Sequence, residues 1–430
     1  MNRSRPFRSV LGPFAGVAMA LAAPALAQQL APTVEPPPQQ LLPSTQSRTG
    51  VQARPIPASA SEFVHPDYVE ASNYARAEAE GVRAYFNLPG LSAGVLLNGE
   101  IVWMEGFGSA DLEAGTPVTP DTRFRVGSLS KPLTTLGMAI LAERGELDLD
   151  APIQTYVPSF PMHEEGDITC RLIAGHLSGI RHYRPGESDT VNPRRYETLE
   201  DAMSRFASDP LVAPPGFRYS YSTYAFTLLS AAMENAAGAP FLDIMQGEVF
   251  DPIHMGATSA DRSDGNLPNL TSFYDRARDS SPVPARPIDT SYKWAGGGFV
   301  STTGDLLRFA NEMMHPTLIS EATRDEMWSP MTTTRGERTH YGMGWGLDTD
   351  EFNRRVIAHS GGQVGCTAYI LIFPELDAAS VVLCNITRAE FGRDLAVVLA
   401  EAFIRQRDRM EGEGGSGEAQ PAGAGEQVGR

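Results

Sequence analysis

The chain has 430 residues, 42% of them hydrophobic, with 52 acidic against 35 basic residues and a formal net charge of −17. That size and composition suit one large globular domain or two, and the acidic balance argues against nucleic acid and anionic membranes as partners. Three cysteines, Cys170, Cys366 and Cys384, are too few and too odd in number for a disulfide framework; they read as small buried side chains, although one pair can join in an oxidising compartment.

At the N-terminus Arg3, Arg5 and Arg8 precede an apolar run from Val10 that ends in Ala25-Leu26-Ala27, the small-x-small pattern of a secretory cleavage site. Residues 1–27 therefore read as a signal peptide, and the mature protein as periplasmic or secreted. Gly12, Pro13, Gly16 and Pro24 interrupt the run, which falls short of the ~20 apolar residues a membrane span needs, so no stable membrane insertion is expected after cleavage. Without those three arginines the net charge is −20. Residues 28–60 are rich in Pro, Gln and Ser and predict a disordered linker, which leaves 61–410 as the folded domain.

The domain opens with Ala75, Ala79, Val82 and Phe86 at helical spacing across 67–86, followed by two strands, 92–97 and 100–107, around the hairpin turn Asn98-Gly99. A second helix follows, with Leu129, Leu133, Leu136 and Ile140 forming its apolar stripe. Pro132 is tolerated only in a first turn, so this helix starts near Ser128. Ser128 and Lys131 then stand one turn apart on the same face, amine beside hydroxyl. A serine hydroxyl attacks poorly unless a base takes its proton, and a lysine amine can do so when burial and the positive end of the helix dipole favour its neutral form. Only Lys131 and Lys293 are lysines; every other basic residue is an arginine, which cannot give up its proton.

Residues 150–289 are broken by prolines and carry helical pieces at 224–235 and 241–250 with no convincing strand, so they read as a helical insertion. Beyond Gly296-Gly297-Gly298 come a helix from Thr302, with Asp305 completing a capping box, and strands near 355–359, 367–373 and 380–384. A last helix covers 389–407, and residues 411–430 read as a disordered tail. Strands on both sides of a helical insertion share one sheet when neither half can bury its faces alone. The expected fold is thus α+β: a mostly antiparallel sheet flanked by helices, with an inserted all-helical lobe and the active crevice between them.

Two further stretches offer the remaining parts of an acyl-transfer site, a proton shuttle and N–H donors for an oxyanion. Tyr221-Ser222-Thr223 opens the 224–235 helix, and His359-Ser360-Gly361-Gly362 ends a strand in small residues that let a ligand approach the backbone. Taken in order, Ser128-x-x-Lys131, Tyr221-Ser222-Thr223 and His359-Ser360-Gly361 resemble the three motifs of the serine β-lactamase and penicillin-binding-protein superfamily, in its class C-like branch. The phrases 175–183 and 291–299 look most like the mitochondrial β-lactamase-like members and their bacterial relatives.

The resemblance runs from about 92 to 403. It implies that Ser128 attacks a carbonyl, that Lys131 and Tyr221 share the acid and base work, that the N–H groups of Ser128 and Gly362 hold the oxyanion, and that Ser360, Gly361 and Thr223 border the substrate. His359 would orient the Tyr221 hydroxyl or the substrate. Neither metal nor cofactor is implied; a small molecule or peptide is the substrate, a homo-oligomer is compatible with it, and a non-catalytic binding protein or filament-forming scaffold is the alternative from another class that the mitochondrial relatives suggest.

Two positions depart from the family pattern. Thr223 stands where the family has Asn and lacks an amide, and His359 stands where it has Lys and lacks a fixed cation. Arg181, Arg354 and Arg355 are candidate substitutes, and Lys293 fits the cleft or the surface. Peptidase, amidase or esterase activity therefore fits better than β-lactam hydrolysis or D-alanyl-D-alanine carboxypeptidase activity. Cys170, His176 and His182 form a rival metal set, but their five-residue gaps match no common zinc pattern.

Overall fold

A computed structural model describes residues 62–185, 187, 194–263 and 265–415. The expected signal peptide, the whole of the expected linker and residues 416–430 lie outside this range. In chain order the elements are β1 (Glu62–Val64), α1 (Val69–Tyr85), β2 (Gly90–Leu97), β3 (Glu100–Asp111), β4 (Thr116–Pro117), β5 (Phe124–Arg125), α2 (Ser130–Glu143), α3 (Cys170–Ala174), α4 (Leu199–Met203), α5 (Thr223–Ala237), α6 (Phe241–Ile244), β6 (Ser259–Ala260), β7 (Tyr274–Arg276), β8 (Pro282–Pro284), α7 (Trp294–Gly297) and β9 (Phe299–Ser301). They continue with α8 (Thr303–Met314), α9 (Glu321–Met327), β10 (Gly346–Thr349), β11 (Arg355–Gln363), β12 (Cys366–Phe373), β13 (Ala378–Cys384) and α10 (Gly392–Gly415).

The main sheet runs β1-β3-β2-β13-β12-β11-β10, with β4 on β3, and every pair is antiparallel. Strands from the two ends of the sequence meet at β2 and β13, where Leu91 opposes Cys384 and Leu97 opposes Ala378. Side-chain alternation then builds two cores. Val382 and Cys384 join Leu91, Ala93 and Val95 under α1 and α10, whereas Val381 and Leu383 face the other way, in the cluster that holds α2, α5 and α8. Because both faces are covered, β2 is buried along its whole length and shows no polar alternation.

The α+β expectation holds, with four local corrections. Residues 150–289 are not free of strands: β6 pairs with β9 in a small sheet with β5, and β7 pairs with β8. These strands have two or three residues each, too short to carry a period of two. The final helix continues to Gly415, five residues into the stretch assigned to the tail. Thr302 caps α8 by accepting from the Asp305 amide, but the Asp305 carboxylate accepts from Ala257 N and Thr258 Oγ1 and so ties α8 to the lobe instead of completing the box. Strand β11 does not stop at His359 but continues through Gly362 to Gln363. All three cysteines are buried free thiols. No helix among the described residues is long and apolar enough to cross a membrane.

Candidate active site

Ser128 sits in a 3-10 turn, Gly127–Leu129, that leads directly into α2. Gly127 has φ +51, and a Cβ there would stand 2.7 Å from Gly362 N. A Cβ on Gly361 would meet Val126 O at 2.0 Å. The nucleophile turn and the end of β11 are therefore in backbone contact, which only glycine permits at both positions. The turn is fixed from behind: Ser130 Oγ donates to Gly127 O at 2.8 Å and accepts from Phe299 N at 3.1 Å.

Within that frame Lys131 Nζ lies 3.1 Å from Ser128 Oγ and 3.2 Å from Thr223 Oγ1, and it donates to the Gly296 carbonyl. Lys131 is 0% exposed, and its amine also faces the rings of Tyr221 and Phe226, with centroids at 4.7 and 5.4 Å. The Tyr221 hydroxyl donates to Ser128 Oγ at 2.8 Å. Burial raises the Tyr221 phenol above its ordinary range, and the Ser128 bond opposes that rise in part. The phenol thus stays protonated at neutral pH. Two candidate proton carriers flank one hydroxyl.

The loop that carries Tyr221 is held by the two histidines of the rival metal set. His176 Nδ1 accepts from Ser222 N and His182 Nδ1 from Thr223 N, each at 3.2 Å. His176 also packs on the Tyr221 ring at 4.2 Å between centroids. Burial first, then the nearby Lys131 charge, holds His176 well below the usual imidazole range, so it serves as a neutral acceptor. Cys170 opens α3 as a buried thiol pushed up to about 12 by desolvation. Among the described residues no group of three His, Cys, Asp or Glu side chains is arranged to hold a metal.

Across the cleft, β11 turns Ser360 and Gly362 outward, and a Cβ on Gly362 would meet nothing within 4 Å. His359 does not bond the Tyr221 hydroxyl. Its Nδ1 donates to Ser360 O at 2.7 Å, so its Nε2 accepts from the Tyr341 hydroxyl at 2.8 Å. Burial and then the Lys131 charge lower the imidazole to about 3, with the Ser360 carbonyl working against them. The third-motif position is therefore a neutral hydrogen-bonding group.

The candidate substitute cations stand elsewhere. Arg181 pairs with Glu187 and Asp209, Arg354 with Asp350 and Glu401, and Arg355 Nη2 donates to Trp328 O. None of the three lines the cleft, whereas Lys293 and Arg393 do. The cleft holds about 770 Å³, and its wall includes Tyr219, Tyr221, Tyr341 and Tyr369. Sequence reasoning missed Tyr341, Tyr219 and Arg393: the two tyrosines lie in segments without periodicity, and Arg393, in the first turn of α10, carries no local sign that it reaches the cleft. It also left Lys293 undecided between cleft and surface; Lys293 is 3% exposed.

The family model described as Beta-lactamase matches residues 76–403. The mitochondrial serine beta-lactamase-like protein LACTB of Homo sapiens is 32% identical over 385 residues, covering 68% of this chain and 70% of that one. Penicillin-binding protein 4* of Bacillus subtilis is 27% identical over 302 residues, covering 67% and 66%. Among solved structures, EstCE1, described as a hydrolase with promiscuous acyltransferase activity, superposes with a TM-score of 0.67 at 20% identity, covering 78% of this chain and 98% of that one, and so speaks for the fold. The chain belongs to the beta-lactamase family, within the superfamily of serine beta-lactamases and penicillin-binding proteins.

Proposed function

We propose that the protein is an exported serine hydrolase that cleaves amide or ester bonds through an acyl-serine intermediate. One observation carries the reading: the Ser128 hydroxyl lies at the cleft between the Lys131 amine at 3.1 Å and the Tyr221 hydroxyl at 2.8 Å. In the reactive form the Lys131 amine is neutral, which its complete burial favours. A neutral amine can donate to Gly296 O and Thr223 Oγ1 and still turn its lone pair to the Ser128 O–H.

Lys131 takes the Ser128 proton as Oγ bonds to the substrate carbonyl carbon, and the oxygen's negative charge falls between the amides of Ser128 and Gly362. The carbonyl then re-forms, the bond to the leaving group breaks, and the proton returns through the Tyr221 hydroxyl to the departing nitrogen or oxygen. Water enters along the same path, gives one proton to Lys131 and releases the acid, and Ser128 recovers its hydrogen.

His359, neutral and held by Tyr341, supplies no fixed charge for a substrate carboxylate. That favours peptides, amides and esters whose leaving group carries no carboxylate beside the cleaved bond over β-lactams and D-alanyl-D-alanine ends. A fluorophosphonate probe should label the wild type and not Ser128→Ala; equal labelling of both removes the reading. A chromogenic cephalosporin, a p-nitrophenyl ester and short peptides assayed together decide the substrate, and rapid turnover of the cephalosporin alone would overturn the preference.

A further inference from the structure

The second lysine of the chain stands in a segment fastened on all sides. Lys293 closes the 3-10 turn Ser291–Lys293 that runs into α7. Thr290 Oγ1 donates to Asp261 O at 2.7 Å, Thr227 Oγ1 to Tyr292 O at 2.8 Å and Thr134 Oγ1 to Ala295 O at 2.9 Å. Gly296 O accepts from Lys131, and a Cβ on Gly296 would come within 2.8 Å of Thr223 Cγ2. Residues 290–296 are thereby locked to α2 and α5, the helices that carry Lys131 and Thr223.

From this block the Lys293 side chain reaches β11, where Nζ donates to Gln363 Oε1 at 2.9 Å. Both residues are buried, at 3% and 7% exposure. Gln363 follows Gly362 directly and is the last residue of β11 paired to β12, opposite Cys366. On the other side β10 pairs only with residues 355–358, so among the described residues no strand adjoins the 359–363 end of β11 there. A hydrogen bond between two buried side chains, away from competing water, is a strong tie at that end.

We propose that Lys293 is a positioning residue: through Gln363 it fixes the spacing between the Gly362 amide and Ser128, so that one segment sets both the base and the oxyanion site. The inference rests on the acyl-serine reading above. Oxyanion donors act only in a narrow geometry, and a displacement of about 1 Å can cost ~10²-fold in rate.

The test measures acylation and turnover of Lys293→Met, Lys293→Arg, Gln363→Met and the double methionine variant, each with a neutral ester and with the same ester bearing a carboxylate. Circular dichroism first establishes which variants fold, and Gln363→Met serves if Lys293→Met does not. The brace predicts a fall in kcat of ~10- to 100-fold with KM within about threefold, equal for the two esters, partly restored in Lys293→Arg, and no deeper in the double variant than in the single ones. Unchanged kcat, a loss confined to KM of the charged ester, or additive losses would overturn it. If the wild type itself shows no Ser128-dependent labelling, the hydrolase reading has failed; if labelling is normal and Lys293→Met matches it, only the brace has failed.

Discussion

The Ser128 turn and the end of β11 face each other across one cleft, yet they are built in opposite ways. The turn is a side-chain device: a buried lysine, itself held by a threonine, and a phenol converge on one hydroxyl, and their geometry follows from helix spacing and a glycine at φ +51. The β11 end is a backbone device, in which Gly361 and Gly362 bring main chain against the turn and the one titratable residue, His359, is neutral and bonded to Tyr341. On the proposed reading the difference separates proton chemistry from recognition of ligand charge: the groups for the first converge on Ser128, while at the third-motif position of the second a neutral imidazole stands where the family pattern places a cation.

The two sides should therefore fail differently when altered. Ser128→Ala and Lys131→Arg should each reduce acylation by ~10³-fold or more with the fold kept, measured as the rate of probe labelling, because an arginine cannot accept the proton. Retained activity in Lys131→Arg would move the base elsewhere. Tyr221→Phe should cost ~10²- to 10⁴-fold for amides, whose leaving nitrogen needs a proton, and much less for p-nitrophenyl esters, whose leaving group does not. Equal losses on both substrates would assign the phenol a structural role.

On the β11 side, His359→Lys should lower KM for a carboxylate-bearing ester several-fold relative to its neutral counterpart while leaving acylation by the phosphonate probe within about threefold, since the desolvation of a buried lysine offsets much of the attraction and leaves roughly 1 kcal/mol. A fall for both esters alike would contradict separability. Gly361→Ala should destabilise the protein by ~1–3 kcal/mol in denaturant titration, because its Cβ collides with the Val126 carbonyl.

Acid titration sharpens the contrast further. His359 and His176 both have folded values depressed below the ordinary imidazole value, so the unfolded chain binds protons more readily. Their contribution to stability is complete above about pH 6.5 and is lost as the pH falls; for His359 the loss runs down towards about 3, at up to ~1.4 kcal/mol per pH unit. His359→Gln should flatten that slope. An unchanged slope would mean that the imidazole is protonated in the native state.

Legibility in the sequence follows the same division. The Ser128–Lys131 spacing, Pro132 in the first helical turn and the Asn98-Gly99 hairpin all act within a few residues, and local geometry decides them. Tyr341 lies eighteen residues before its partner His359, in a loop without periodicity, so nothing in the chain announces the pairing. The two- and three-residue strands β5, β6 and β9 form because α2, α7 and the lobe bring them together, not from their own propensity. Helix α10 runs on into Glu411 and Gly412, where composition argues for disorder.

The most direct test of the account is intact-protein mass spectrometry after brief mixing with an activated ester, followed by peptide mapping. The account predicts one acyl group per chain, on Ser128, that disappears on standing and does not form in Lys131→Arg. An adduct on another residue, or turnover with Ser128 unmodified and replaceable by alanine, would contradict it.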